Sequence, residues 1–229
     1  MGLLDQYNNL DKETQDSLGK TGTKINTAGA HLVTIESMQS IEDKRVKIVF
    51  KDASGLTAEY VGFTSNNDAT KAEAAIKRTM SQLTNIVKAT GNDLKTVLGK
   101  EQAGTETYKS GKTVDVVNYP AAKGKKLYII TYSEISADEK DASKTWVRQE
   151  IDVFNFFDTK KRNGMEINSD AAEGTTMETV AEDAKARVEI NYKNTNSAAC
   201  QAKLQAMLSG VTPAGQNAPT SVPASDDDI

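Results

Sequence analysis

The fold turns on the stretch Arg45-Val46-Lys47-Ile48-Val49-Phe50-Lys51-Asp52-Ala53-Ser54-Gly55, continued by Leu56-Thr57-Ala58-Glu59-Tyr60-Val61-Gly62-Phe63. Val46, Ile48 and Phe50 share one side and Arg45, Lys47 and Val49 the other. This is the period-2 alternation of a half-buried strand with a core face and a largely cationic face. Asp52 to Gly55 has turn chemistry, so residues 45–50 and 56–63 read as adjacent antiparallel strands. Upstream, His31 to Met38 supplies a further run and completes a three-strand meander. Downstream, Thr64-Ser65-Asn66-Asn67-Asp68 reads as a helix N-cap region, and Ala72, Ile76, Met80, Leu83 and Val87 recur at helical spacing until Gly91. The opposite helix face carries Lys71, Lys77, Arg78 and Lys88 and reads as solvated.

Residues 93–99 add a short helical turn. Gly104 to Gly124 reads as loop and hairpin about Ser110-Gly111, with a strand from Val114 to Tyr119. Two further strands, Lys126 to Glu134 and Trp146 to Phe157, flank a charged loop. Three strands, a helix, then more strands predicts a mixed α+β fold: an OB-like antiparallel β-barrel with a helix between strands 3 and 4, an order that other small barrels share. The resulting organisation is a polar N-terminal arm over 1–27, an OB-like body over 28–175, C-terminal helices over 176–209 and a disordered acidic tail over 210–229. Thr176 to Ile190 reads as one C-terminal helix with Val180, Ala184 and Val188 on a stripe, and Ser197 to Leu208 as the other with Cys200, Leu204 and Leu208.

The chain of 229 residues is 38% hydrophobic and 26% charged, enough to bury a core. Its apolar runs fall far short of the roughly 20 residues needed to cross a bilayer. One cysteine, Cys200, and no basic segment leading into an apolar one at the N-terminus point to a reducing cytoplasm and to no membrane partner. Asp226, Asp227 and Asp228 supply three of the 32 acidic charges, leaving the body near neutral against 28 basic residues.

Enzyme chemistry finds little to work with, and no cofactor or metal is expected. The single histidine, His31, has no cysteine nearby and reads as a packed or surface residue. Gly19-Lys20-Thr21 and Gly111-Lys112-Thr113 end like a phosphate-binding loop, but Thr14 and Glu106 occupy the position of its first glycine. Glu150, Asp152 and Asp158 with Lys160 are the closest approach to a divalent-metal nuclease cluster, and they read more simply as solvent-facing acids.

Alternation along the last strand puts Val147, Ile151, Val153 and Phe157 on the core face and Trp146, Arg148, Phe154 and Phe156 on the other, with Glu150 and Asp152. Tyr128 and Tyr132 extend that aromatic face from the preceding strand. Basic clusters border it: Lys44, Arg45 and Lys47; Lys123, Lys125 and Lys126; Lys160, Lys161 and Arg162. Outward aromatics with lysines and arginines at strand ends are what a groove for a single-stranded backbone requires, since bases stack on rings while cations hold phosphates. The competing reading buries these aromatics under the C-terminal helices as a second small core.

From Gly210 the sequence runs through Pro213, Gly215, Pro219 and Pro223 among small polar residues and ends Ala224-Ser225-Asp226-Asp227-Asp228-Ile229. That stretch cannot bury enough apolar surface to offset its ordering entropy. The neutral linker and anionic, apolar-ended tip resemble the C-terminus of bacterial and phage single-stranded DNA-binding proteins. The run from Gly29 to Gly91 and the strand from Trp146 to Asp158 are similar to OB-like phage members. In bacterial members the tip continues with Pro-Phe, whereas this sequence has Ile229 last. The resemblance implies sequence-independent coating of single-stranded DNA in phage replication and recombination, in the host cytoplasm. Asp226, Asp227, Asp228 and Ile229 would contact replication or repair proteins and compete with DNA for the basic groove. Homo-oligomer formation stays open, and the alternative function is that of a non-enzymatic structural or oligomeric interaction protein of a phage.

Overall fold

The computed structural model describes residues 24–65, 69–108 and 110–209. The tail, the arm up to residue 23 and residues 66–68 of the expected N-cap region lie outside the described residues.

Among the described residues eight strands form one sheet: β1 (Gly29–Ile41), β2 (Arg45–Asp52), β3 (Thr57–Phe63), β4 (Gln102–Thr107), β5 (Thr113–Asn118), β6 (Lys126–Ala137), β7 (Thr145–Phe157) and β8 (Val188–Ile190). The described helices are α1 (Ala69–Ala89), α2 (Leu94–Leu98), α3 (Gly164–Asn168), α4 (Met177–Ala186) and α5 (Ala198–Leu208). The architecture is therefore mixed α/β, with a helix following the third strand as expected. β1 organises the sheet. Along one edge it pairs with β2; along the other, Gly29 to Thr34 pair with β6 and Gln39 to Ile41 pair with β5. Among the described strands every ladder is antiparallel except the short one between β8 and residues 133–135 of β6, and an isolated parallel bridge joins Lys24 to Thr57. The sheet is not closed into a barrel: among the described strands no hydrogen-bonded ladder joins β3 to β7, although their Cα atoms come within 8 Å of each other.

The alternation read in β2 holds, and β3 alternates in the same way. Val46, Ile48, Phe50, Ala58 and Tyr60 are buried and meet Ile35 and Met38 of β1 and Leu127 and Ile129 of β6. α1 seals this core with Leu83, Ile86 and Val87. The first half of its apolar stripe is different: Ile76 and Met80 are exposed, and Thr79 and Gln82 turn inward instead. Both inward polar groups are satisfied, Thr79 Oγ1 donating to the Phe63 carbonyl at 2.7 Å and Gln82 Oε1 accepting from the Tyr60 hydroxyl at 2.8 Å. Gly62 permits that approach, because a Cβ there would lie 2.6 Å from Thr79 Cγ2.

The C-terminal elements cover β6 on both sides. α4 places Met177, Ala181 and Ala184 over Ile130 and Phe157, and α5 places Cys200 against Ile135 and Ala137. The helix expected to run to Ile190 stops at Ala186. Arg187 turns to an extended conformation and Val188 to Ile190 leave the helical stripe to pair with β6, where Val188 and Ile190 pack beside Cys200. Among the described residues no helix is long and apolar enough to cross a membrane.

Candidate nucleic-acid interface

Directly paired residues point to the same side of a sheet, so the register defines the face turned away from the core. Across β1, β2 and β3 it runs in rows: Ile41, Arg45 and Phe63; Gln39, Lys47 and Val61; Ser37, Val49 and Glu59; Thr34, Lys51 and Thr57. The last row continues to Lys126 of β6, which also pairs with Thr34. From Arg45 to Lys51 this strip is about 20 Å long at a strand rise of ~3.3 Å per residue. Apolar side chains stand open along it: Val61 is 42% exposed, Phe63 57%, and Leu32, one register step beyond Thr34, 43%. α4 covers the neighbouring part of the same face over Ala30 and Ile130, and Ile41 is buried with Val114 and Val116, leaving the rest of the strip uncovered.

The two ends differ electrostatically. At the Lys51 end, Lys51 and Lys123 line one shallow depression with Glu36 and Asp52, and Lys51 pairs with Glu36 at 3.4 Å. Lys126, Lys160 and Arg162 line a second, of about 320 Å³, with Asp158 and the turn after α1. With Lys125 between them this makes six cations against three carboxylates. Lys123, Lys125, Lys126 and Lys160 form no ion pair among the described residues. Arg162 is spoken for: its guanidinium binds Asp158 at 2.7 Å and the Ala171 carbonyl at 2.8 Å, fixing the loop after β7. Lys161 pairs with Glu178 at 2.8 Å, which holds its ammonium pKa above the ordinary lysine value.

At the Arg45 end, Lys44 and Lys47 are met by Glu42 and Glu59, and Gln39, in the row of Lys47, holds Glu106, so the first basic cluster is matched by acid. Lys44 lies 3.7 Å from Glu42 and Lys47 3.9 Å from Glu59. Arg45 donates to the Tyr108 hydroxyl at 3.1 Å, and Tyr108 packs on Ile41, Val114 and Val116 where the β4–β5 hairpin folds over this end. Sequence patterning gives no reason to choose Tyr108, but Phe63 and Val61 share the outward parity of Glu59.

The aromatic face expected on β6 and β7 is divided by a bulge. Thr131 pairs with Ile151 and Ile129 with Phe156, so the four residues 152–155 of β7 stand against the single Ile130 of β6 and the alternation is broken. Phe156, expected to point outward, consequently lies in the main core at 3% exposure. Phe157 shares the other face with Tyr128 and packs under α4. Tyr128 and Tyr132 are half-buried there, with the Arg187 guanidinium 4.0 Å from the Tyr132 ring centroid. Burial, with Glu189 and Glu134 adding, pushes the Tyr132 hydroxyl up to about 12 against the pull of Arg187. Trp146 is half-buried, and its indole N–H meets no acceptor among the described residues. Arg148 is held by Glu134 at 2.8 Å and Glu150 at 2.6 Å. Burial raises the Glu150 pKa, with Arg148 opposing. Phe154 alone of the expected β7 aromatics stands open to solvent.

The acids considered for metal chemistry are engaged structurally. Asp152 accepts from the Phe154 amide at 3.1 Å, Asn155 Nδ2 at 3.0 Å and Arg187 Nη1 at 3.1 Å. Asp158 accepts from the Lys160 and Arg162 amides, both at 2.9 Å. His31 lies within hydrogen-bonding distance of the Thr27 carbonyl and the Thr131 hydroxyl, and burial lowers its pKa. No protein-family model matches the chain, and no curated protein matches it.

Proposed function

We propose that this protein binds single-stranded DNA without sequence preference along the outer face of β1, β2 and β3, as a phage-type single-stranded DNA-binding protein. The observation that carries the reading is the uncovered strip itself, where Leu32, Val61 and Phe63 stand open and one end leads to Lys126 with its neighbours Lys123 and Lys125. Sequence-independent binding needs that combination, because ring and apolar faces accept any base while cations follow the phosphates. Phosphates enter at the lysine-rich end, and bases stack toward Phe63 and Tyr108.

An OB-like reading of the fold accords with this. β1 pairs with both β2 and β6, a helix follows β3, and β7 returns beside β3. In this view the β4–β5 hairpin is an insertion, and α1 plugs the gap between β3 and β7. The acidic tip of residues 226–229 then acts as a tethered competitor for the lysines and as a docking segment for replication or repair proteins.

Fluorescence anisotropy of labelled oligo-dT with the full chain tests the reading. Expected is binding that weakens with salt at about −0.7 in log–log slope per phosphate contacted. Phe63→Ala should weaken it by roughly ten-fold or more, from the ~1–3 kcal/mol of a stacked base. Absence of binding at about 50 mM salt would sink the proposal.

A further inference from the structure

The β7 bulge presents one side chain in a way the core does not require. Between Ile151 and Phe156 the strand leaves its ladder with β6, and Phe154 at the crest is 68% exposed. The crest is not slack. The buried Asp152 carboxylate holds the Phe154 amide, the Asn155 side chain and Arg187 at once, so the backbone that carries the ring is pinned from both sides. Bulges of this kind re-aim side chains, and they concentrate beside functional surfaces. Across from the ring lies Arg78 of α1, its guanidinium 5.9 Å from the Phe154 centroid. Arg78 makes no ion pair among the described residues, so its charge is available to an incoming anion. The next residue of α1, Thr79, donates to the Phe63 carbonyl, so one turn of the helix joins Phe154 on β7 to the Phe63 end of the strip on β3.

We infer that Phe154 with Arg78 is a second base-stacking station for the same single strand, reached by crossing the unladdered seam between β3 and β7. The inference rests on the strip being a single-strand site and extends its path. An aromatic face open on one side, with an unpaired guanidinium beside it, suits a nucleotide: the base stacks on the ring and its phosphate meets Arg78. A protein segment docking on an apolar surface would need hydrophobic area rather than a π-face, which gives the two occupants different signatures.

The test uses the full chain and labelled oligo-dT. Phe154→Ala and Phe154→Leu should each weaken binding by roughly ten-fold, the loss of one stacked base. Phe154→Trp should bind like the parent and gain a quenching signal on oligo-dT addition that the parent, with its half-buried Trp146, lacks. The exposed position keeps these variants folded, checked by unchanged urea midpoints. If Phe154→Ala binds as tightly as the parent and Phe154→Trp is not quenched, while Phe63→Ala is weakened, the station falls and the strip stands. Full affinity in Phe154→Leu alone, with loss in Phe154→Ala, marks an apolar contact and also overturns the stacking role. If the parent does not bind oligo-dT, the strip and the station fall together.

Discussion

Replacing Asp152 by alanine removes the acceptor that holds the β7 bulge. The carboxylate is 7% exposed and takes three hydrogen bonds, from the Phe154 amide, Asn155 Nδ2 and Arg187 Nη1. Hydrogen bonds to a charged acceptor contribute about 1.5–3 kcal/mol each when one partner is deleted. Arg187 is 39% exposed and keeps Glu189 at 2.7 Å, so solvent screens its share and little is left uncompensated there. The two amide donors dominate, and the loss comes to about 3 kcal/mol. In a domain of this size that lowers Tm by roughly 6–12 °C. Urea unfolding followed by circular dichroism measures it, with Asp152→Asn losing about half as much because an acceptor oxygen remains. A loss below about 0.5 kcal/mol, the level of an ordinary surface substitution, would refute the assignment of Asp152 as the bulge's anchor.

Two further outcomes are expected. The Glu166 pKa is depressed by hydrogen bonds from the Thr175 and Asn163 amides, with the Thr175 hydroxyl adding, so its stabilisation is present above the ordinary carboxylate pKa of about 4.3 and is lost as pH falls through the lower folded value. The gap in urea midpoint between the parent and Glu166→Gln should be full at about pH 7 and narrow as pH falls below the ordinary carboxylate value of about 4.3; a gap independent of pH would contradict the assignment. Removing residues 213–229 should tighten oligo-dT binding at low salt, with the difference shrinking as salt screens the tail. Unchanged or weaker binding would end the competitor role.

What the sequence discloses follows from how local its causes are. β2, β3 and the second half of α1 are readable because period 2 or 3.6 is enforced by one uninterrupted core: Ile48, Phe50, Tyr60, Leu83 and Val87 all meet in it. Phe156 defeats the same reasoning, since a single strand carries no mark of a bulge whose register is set by its partner β6. Tyr128 and Tyr132 alternate correctly, but which face α4 covers depends on a chain segment some fifty residues away. The basic clusters illustrate a third limit. Residues 123–126 and 160–162 border one another in space, whereas Lys44, Arg45 and Lys47 lie at the far end of β2 beside carboxylates from the hairpin turn, β3 and β4. Only the three-dimensional arrangement separates a cationic surface from a neutral one.

The double use of β1 bears on how the chain comes into being. Its first edge finds β2 within a few residues, but Gly29 to Thr34 must wait for Lys126 to Thr131, about a hundred positions later. At ~5–20 residues per second, a ribosome leaves that second edge unpaired for roughly 5–20 s, displaying open amides and carbonyls on a segment that includes Leu32 and Val33. During synthesis the meander is thus a template for pairing with another nascent copy. Expression at lower temperature or with holdase chaperones should raise soluble yield more than any stabilisation of the finished sheet.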